Sequence, residues 1–285
     1  MTTVAGKLPV RRILVALDAS PQSLAALRAA SELSVKLEAE LLGLFVEDVD
    51  LLRLADSPYA RELLLPAVIE VPLDRATMER RLKAQAEQAR TALAAAANQA
   101  KVAWSFRVVR GSVPAEILMA AAECDLLALG KIGWSLVKKA GLGSTALAAL
   151  RQAVPTLLLS SHPALAQRPV VIWCGSPAST RGVLVAAELA RIGSGELTVL
   201  LPPAGHETNN HLRNQIADLL KGMDIKIRYK RVRSASAADL RSALRSEHPS
   251  VVVLAGAEPF SDMADLAALL DEIGAWALSL PQISR

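Results

Sequence analysis

The sequence is poor in aromatic residues and in cysteine, which several other classes of protein need. Aromatic residues make up 3% of its 285 residues, and cysteine occurs twice, at Cys124 and Cys174. Two isolated cysteines provide neither a disulfide framework nor a metal cluster, which fits a reducing compartment. No apolar run reaches the roughly 18 residues that span a bilayer, and the first residues form no long apolar segment. We therefore expect a soluble, cytoplasmic protein without membrane insertion.

Common catalytic signatures are also lacking. His206 and His211 flank a string similar to a metalloprotease motif, but they stand at i and i+5, whereas the zinc motif needs i and i+4. The sequence contains no Gly-x-Ser-x-Gly elbow and no Gly-x4-Gly-Lys-Ser/Thr loop. Acyl transfer and P-loop NTPase chemistry therefore lack their usual sequence support.

Charge of one sign is not in large excess. The 32 basic residues and 28 acidic residues leave a formal net charge of +4. The lysines and arginines are spread along the chain and are not interleaved with the aromatic residues that stack on bases, so we predict no nucleic-acid partner.

Apolar residues, by contrast, are plentiful at 52%, and alanine and leucine dominate them. This composition suits two α/β domains, each with helices packed on a parallel sheet. In the first half, short apolar runs alternate with helical patterns, which predicts a doubly wound sheet. The predicted strands are Ile13–Leu17, Glu40–Val46, Val102–Val109, Asp125–Leu129 and Pro155–Leu159, and the predicted helices are 21–37, Arg75–Gln99 and Pro114–Ala122.

Two parts of the first half invite a packing interpretation. Residues 48–76 hold three prolines around a leucine-rich centre, and we expect this irregular segment to pack over the sheet edge, a ligand or a partner. Trp104, Phe106 and Val108 alternate along one predicted strand and are expected to share a packed face.

A glycine-rich loop follows the predicted strand Asp125–Leu129 and precedes a helix opened by Ser144 or Thr145. Gly130, Gly133, Gly143 and Ser144 give the spacing Gly-x2-Gly-x9-Gly-Ser. Glycine permits close backbone approach to a ligand, and the first N–H groups of a helix favour an anion. The pattern predicts a phosphate site, with an ordinary loop and a capping serine as the alternative.

In these residues the chain resembles the universal stress protein family. The resemblance implies a flavodoxin-like fold, a five-stranded parallel sheet of order 3-2-1-4-5, and binding of ATP, or of ADP or AMP, with or without Mg²⁺. Ligands of such sheets bind where the winding direction reverses, at the carboxyl ends of the strands.

The resemblance implies further site residues in the first half. Asp18, in the string VALDAS, corresponds to an aspartate beside the nucleoside, and Val46, in GLFVED, corresponds to a residue whose backbone contacts adenine. Ala16 stands where the family often has proline, and its backbone is included in the predicted site. For Asp18 the alternative is a residue at the start of a helix that bonds nearby backbone N–H groups.

The pattern of the first half restarts after the polar linker Ser160–Pro169. A shift of 156 positions brings Ser20-Pro21 onto Ser176-Pro177 and Glu40-Leu41 onto Glu196-Leu197. This indicates a tandem repeat, with an intact domain at 1–161 and a degenerate one at 168–285.

The second copy departs from the first at the predicted site. Cys174 replaces Asp18, no Gly-Ser follows Gly256, and the acids Glu258, Asp262 and Asp265 would repel phosphate. We expect this domain to serve as an internal dimer partner, paired through the fifth strands, with a homodimer as a further possibility.

Three functions follow from these patterns. The first is a stress-response switch that binds an adenine nucleotide in its first domain. The second is a slow ATPase or a self-phosphorylating protein with Ser144 or Thr145 as acceptor. The third is a structural or partner-binding tandem whose glycine loop holds no nucleotide.

Overall fold

Ten strands form one continuous sheet in the computed structural model, which describes residues 10–64, 69–130, 143–150, 155–159, 168–173, 175–203, 206–234, 236–255, 268–269 and 275–280. The first half contributes β1 (Arg12–Ala16), β2 (Glu40–Asp48), β5 (Trp104–Gly111), β6 (Leu126–Gly130) and β7 (Thr156–Leu159). The second contributes β8 (Pro169–Ile172), β9 (Glu196–Leu201), β10 (Lys226–Arg231), β11 (Val251–Ala255) and β12 (Trp276–Leu280).

The strand order is β10-β9-β8-β11-β12-β7-β6-β1-β2-β5. Counted within each half, this is the order 3-2-1-4-5 twice, and every pair inside a half is parallel. The predicted α/β class and the two five-stranded doubly wound units are confirmed. The central strands are apolar throughout because helices cover both faces, and Ile13, Leu14 and Val15 of β1 are fully buried.

The two units join through their fifth strands. Strands β7 and β12 pair antiparallel, with Leu157 opposite Leu278 and Thr156 opposite Ser279. We call this pairing the seam. It is the internal contact predicted for the second domain. It pairs the backbone of the strand at the inner edge of each unit.

Helices cover the sheet in two layers. They are α1 (Pro21–Leu37), α2 (Val49–Ala55), α3 (Arg75–Ala100), α4 (Val113–Ala121), α5 (Ser144–Leu150), α6 (Pro177–Ile192), α7 (His206–Leu219) and α8 (Ala237–Glu247). Buried side chains of α1, α3, α6 and α7 form one core cluster with one face of the sheet, and those of α4, α5 and α8 form a second cluster on the other face. Both clusters contain residues of both halves. No helix among the described residues is long and apolar enough to cross a membrane.

Repeat-related residues meet beside the seam. The Lys36 ammonium donates a hydrogen bond to the Ile192 carbonyl at 3.4 Å, and these two residues are 156 positions apart. Two equivalent residues touch each other only near an axis that relates the two copies. The halves therefore face each other about an approximate two-fold axis between α1 and α6.

Residues 48–76 are more regular than predicted. The segment contains helix α2 and a hairpin of β3 (Arg61–Leu64) and β4 (Ile69–Pro72). The Asp48 carboxylate accepts the Asp50 N–H at 2.9 Å and so caps α2, while Leu52 and Ala55 are buried. The prolines suggested an irregular course, but Pro58 lies outside both elements and Pro72 ends a strand. Helix α2 packs against α3, which is not one of the surfaces that the prediction named.

Some strand limits also differ from the sequence prediction. Strand β5 begins at Trp104, two residues later than predicted, and Val108 is 46% exposed. Trp104 and Phe106 pack on the core as expected, but Val108 does not share their burial, because β5 is the outer strand of the sheet. Asp125 stands before β6, where its carboxylate accepts the N–H groups of Arg11 and Arg12 at 2.8 and 3.0 Å.

Gly43 in the middle of β2 permits the close approach of α3. A Cβ added there would lie 2.5 Å from Leu93 Cδ2 and 3.0 Å from Phe106 Cδ2. The repeat-related position holds Val199, which is buried under the shorter helix α7. In the first half, the strand thus has no side chain at this position, and helix α3 packs more closely on the sheet.

We expect Gly43→Ala to lower the free energy of unfolding by about 1–3 kcal/mol, because the added methyl group overpacks the core. Urea unfolding followed by circular dichroism measures the effect. Leu93→Ala removes the clashing atom, so the double variant should be more stable than the sum of the two single losses implies. Strict additivity of the two losses would contradict this packing account.

Candidate functional site

The winding direction of the first half reverses at β1. Strand β2 pairs with β1 on one side, with Gly43 opposite Val15, and β6 pairs on the other, with Ala128 opposite Val15. Asp18 follows β1 and Gly130 ends β6, so both lie at the carboxyl edge where ligands of such sheets bind. The structure therefore places these two residues at the same edge of neighbouring strands.

Asp18 belongs to a tightly bonded turn into α1. Its carboxylate Oδ1 accepts the Ser20 N–H at 2.9 Å, and its own N–H donates to Ser23 Oγ at 3.4 Å. Ser20 Oγ accepts the Ser23 N–H at 3.1 Å and caps the helix, followed by Pro21 at its first position. The role at the start of a helix is thus observed for Asp18, whereas its contact with a nucleoside stays a prediction.

The same turn recurs in the second half. Ser176 Oγ accepts the Ser179 N–H at 3.2 Å, as Ser20 does for Ser23. Gly175 has a φ of 81°, and its counterpart Ala19 has a φ of 59°. Both turns need the left-handed conformation, which glycine adopts freely and alanine adopts at a cost of about 1–2 kcal/mol.

Gly130 lies directly beside the first turn of α1. A Cβ at this position would come within 3.3 Å of Gln22 Cβ and 3.4 Å of the Gln22 carbonyl carbon. The sequence pattern singled out Gly130 for a ligand but gave no signal for Gln22. Packing against α1 is a second reason for glycine here, independent of any nucleotide.

Ala16 and Val46 lie on the same face of the sheet. Both are half-buried and pack on the core cluster that includes α4 and α5, together with Leu44 and Leu129. The two predicted residues on β1 and β2 are thus on the face that carries the helix following the glycine loop.

The far end of the predicted loop begins α5. The Gly143 carbonyl accepts the Leu147 N–H at 3.0 Å, so Gly143 caps the helix and Ser144 is its first residue, as predicted. Ser144 is exposed and Thr145 is half-buried. Gly133 lies outside the described residues, as do the loop lysines at 131, 138 and 139.

A network of ion pairs that the sequence analysis did not predict lies at the neighbouring part of this edge. Glu47 at the end of β2 is opposite Arg110 of β5, and their side chains pair at 2.7 Å. Glu79 of α3 approaches Arg110 at 3.6 Å and Arg75 at 3.3 Å, and Arg75 also pairs with Asp56 after α2 at 2.6 Å. The hydrogen bond that Arg110 donates to the Glu47 carboxylate raises the pKa of Arg110.

This network ties α2 to α3 and to the carboxyl ends of two strands. The signal that could have revealed it is the cross-strand position of the Glu47 and Arg110 pair. Among the described residues, no group of three or more histidines, cysteines, aspartates or glutamates is placed to hold a metal ion.

The counterpart residues of the second half are largely outside the described part of the chain. This applies to Cys174, Gly256 and the acids Glu258, Asp262 and Asp265. The predicted lack of a nucleotide site there therefore stays a prediction.

Comparisons with known proteins agree with this architecture. A model of the universal stress protein family matches residues 9–159. A universal stress protein from Archaeoglobus fulgidus DSM 4304 is similar in structure, with 16% sequence identity, 97% of this chain and 98% of that chain covered, and a TM-score of 0.72. A putative universal stress protein from Pseudomonas aeruginosa UCBPP-PA14 has 12% identity, coverage of 96% and 94%, and a TM-score of 0.58. A search of the curated proteins found no match.

The left-handed residue before α1 gives a test of the turn. We expect Ala19→Gly to raise the free energy of unfolding by about 0.5–1 kcal/mol, because relief of strain exceeds the added entropy of the unfolded chain. Gly175→Ala should lower it by about 1 kcal/mol for the converse reason. Chemical denaturation of both variants checks the pair, and a loss of stability in Ala19→Gly would contradict the proposed strain.

Proposed function

Because the family model matches more than half of it, the chain belongs to the universal stress protein family, and from this membership we propose that its first half binds ATP, or ADP or AMP, as a stress-response switch. The proposed site residues are Ala16, Asp18, Val46, Gly130, Gly133, Gly143, Ser144 and Thr145. We place this switch in the cytoplasm.

The observation that carries the proposal is the position of Asp18 and Gly130 at the carboxyl edge of two neighbouring strands, where the winding of the sheet reverses. The register of β1 and β6 brings the two strand ends together, and Gly130 lies against the first turn of α1. An open crevice at such a reversal is where doubly wound sheets hold their ligands. Family membership and the Gly-x2-Gly-x9-Gly-Ser spacing support an adenine nucleotide as the ligand.

Each element of the site has a distinct part in this proposal. The backbone at Gly130, Gly143 and Ser144 holds the phosphates, because the first N–H groups of a helix attract anions. Val46 and Ala16, on one face of the sheet, present backbone to the adenine, and Asp18 lies beside the nucleoside. Mg²⁺ would accompany the phosphates and neutralise part of their charge.

Binding rather than rapid turnover is the activity we propose. Hydrolysis needs a group that positions water and others that stabilise the transferring phosphoryl group. Asp18 already accepts a hydrogen bond from the Ser20 N–H and is insufficient by itself. Slow hydrolysis, phosphorylation of Ser144 or Thr145, and a tandem without nucleotide are the competing outcomes of the test.

A negative charge at the start of α5 should separate binding from folding. Ser144 is exposed, and an acid at the first position of a helix is favourable for the helix. Beside phosphates the same charge is repulsive, so we expect Ser144→Asp to weaken ATP binding by about tenfold or more while leaving the melting temperature unchanged or higher. Isothermal titration with ATP measures the affinity.

Ser236→Asp is the matched control. Ser236 is an exposed serine that caps α8 in the second half, where its side chain accepts the Asp239 N–H. This variant should bind ATP as the parent protein does. Equal weakening in both variants would contradict a site confined to the first half. Gly130→Val should also abolish binding, but it crowds Gln22, so its melting temperature must be measured with its affinity.

Small molecules released from gently purified protein identify the nucleotide. We expect mass spectrometry to detect ATP, ADP or AMP, in an amount that falls in Ser144→Asp but not in Ser236→Asp. Phosphate release, or a phosphorylated Ser144 or Thr145, would favour the enzymatic alternative. Failure of any adenine nucleotide to bind at millimolar concentration would leave the structural alternative.

A further inference from the structure

The two outer strands of the sheet differ in charge balance. On β5, Arg107 pairs with Glu123 at 3.1 Å and Arg110 pairs with Glu47 at 2.7 Å, so each of these arginines has its own carboxylate. The opposite outer strand, β10, reads KIRYKR and is followed by Arg233. With Arg213 of α7, it forms a surface that we call the basic edge.

Carboxylates only partly neutralise the basic edge. Lys226 pairs with Glu196 at 3.0 Å, whereas Arg228 and Lys230 share the single carboxylate of Glu247, at 3.5 and 2.8 Å. Two carboxylates therefore pair with three cations, so the positive charge of β10 is only partly neutralised.

Three more arginines lack a carboxylate in the described part of the chain. The Arg213 guanidinium lies over the ring of Tyr229, 5.2 Å from its centroid. Arg231 and Arg233 are exposed, and their side chains form no ion pair or hydrogen bond with any described residue. The excess positive charge is thus concentrated at the end of β10, where it can attract an acidic partner.

Along the same edge, no described strand pairs with the outer side of β10. The Lys226 N–H donates to the Gly195 carbonyl at 2.7 Å and the Val232 N–H to the Leu201 carbonyl at 2.9 Å. Because groups alternate along a strand, the N–H and C=O of Ile227, Tyr229 and Arg231 point away from β9. A strand of about six residues presents roughly 20 Å of edge.

Charge disfavours a second copy of β10 as the occupant. Two β10 strands laid side by side would oppose cations with cations. Nucleic acid is disfavoured as well, because Tyr229 is the only aromatic residue between 221 and 250 and it already packs on the core. An acidic extended segment matches both the open backbone and the unneutralised arginines.

We propose that the basic edge is a docking surface for an acidic, extended segment of a partner protein, which adds to β10 as a further strand. Backbone hydrogen bonds to Ile227, Tyr229 and Arg231 hold the segment, and its carboxylates pair with Arg231 and Arg233. This mode of recognition gives affinity through the main chain and selectivity through side chains of alternating direction. It is independent of nucleotide binding in the first half.

A labelled peptide of about eight residues, alternating glutamate and threonine, serves as the probe of the full chain. Fluorescence anisotropy should detect saturable binding that weakens as salt is raised. Arg231→Glu with Arg233→Glu should weaken binding by about tenfold or more. The control with the same charge change is Arg11→Glu with Lys83→Glu, two exposed cations of the first half, and it should bind as the parent does.

Variants at residue 231 test the role of the backbone. Arg231→Gln removes the charge, whereas Arg231→Pro removes the charge and also the outward N–H, a change that an outer strand tolerates. We expect the proline variant to bind several-fold more weakly than the glutamine variant, with both retaining the parent circular dichroism spectrum. If Arg231→Pro fails to fold, acidic peptides N-methylated at alternate residues, which cannot donate to the outward carbonyls of β10, test the same strand pairing from the side of the peptide.

Several results would overturn the proposal. The first is no binding of the acidic peptide, and the second is an equal loss of peptide affinity in the Arg11 and Lys83 control. The third is equal peptide affinity of the two variants at residue 231. The fourth is that single-stranded DNA of equal charge binds as tightly as the peptide. The last result would assign the edge to nucleic acid instead. Saturable, salt-sensitive binding with the expected order of variants would support it.

Discussion

The seam between β7 and β12 is the contact on which the rest of the architecture depends. Each five-stranded unit would otherwise expose the unpaired backbone of its fifth strand. Pairing the two strands satisfies both edges at once and allows both core clusters to continue from one half into the other. The contact between Lys36 and Ile192 shows that helices as well as strands meet at the approximate two-fold axis.

An antiparallel seam also sets the direction of everything attached to it. The strands of the second half run opposite to those of the first, so the carboxyl edge of one unit lies beside the amino edge of the other. The carboxyl edge that carries the candidate nucleotide site and the carboxyl edge of the second half therefore lie on opposite sides of the sheet. The basic edge, at the far end of the second half, is separated from the candidate site by most of the sheet, and the two surfaces can act independently.

The fold was predictable because its signals are local and repeated. Apolar runs bounded by a Ser-Pro helix start located β1 and α1, and the shift of 156 positions located their copies β8 and α6. The segment at 48–76 was less predictable, because α2 is short and its cap, Asp48, resembles any acidic loop residue. Val108 was misjudged because alternation along a strand does not reveal that the strand is at the edge.

The residues of the candidate site also divide into those that the sequence predicted and those that it did not. Asp18, Gly130 and Ser144 were found because strand ends, glycine spacing and a helix start are visible in the sequence, although their roles toward a ligand remain predictions. Gln22 and the Glu47–Arg110 network were not found, because their contacts join residues distant in the chain. The turn strain at Ala19 became visible only beside its glycine counterpart.

Covalent connection of the two halves has a consequence for how the seam responds to dilution. Single units that pair through fifth strands must find each other in solution, so their association depends on protein concentration. In this chain the partner strand is tethered, and its effective concentration is set by the connecting segment alone. The paired form of β7 and β12 is therefore insensitive to how much of the protein is present, which allows a scarce protein to keep its complete sheet.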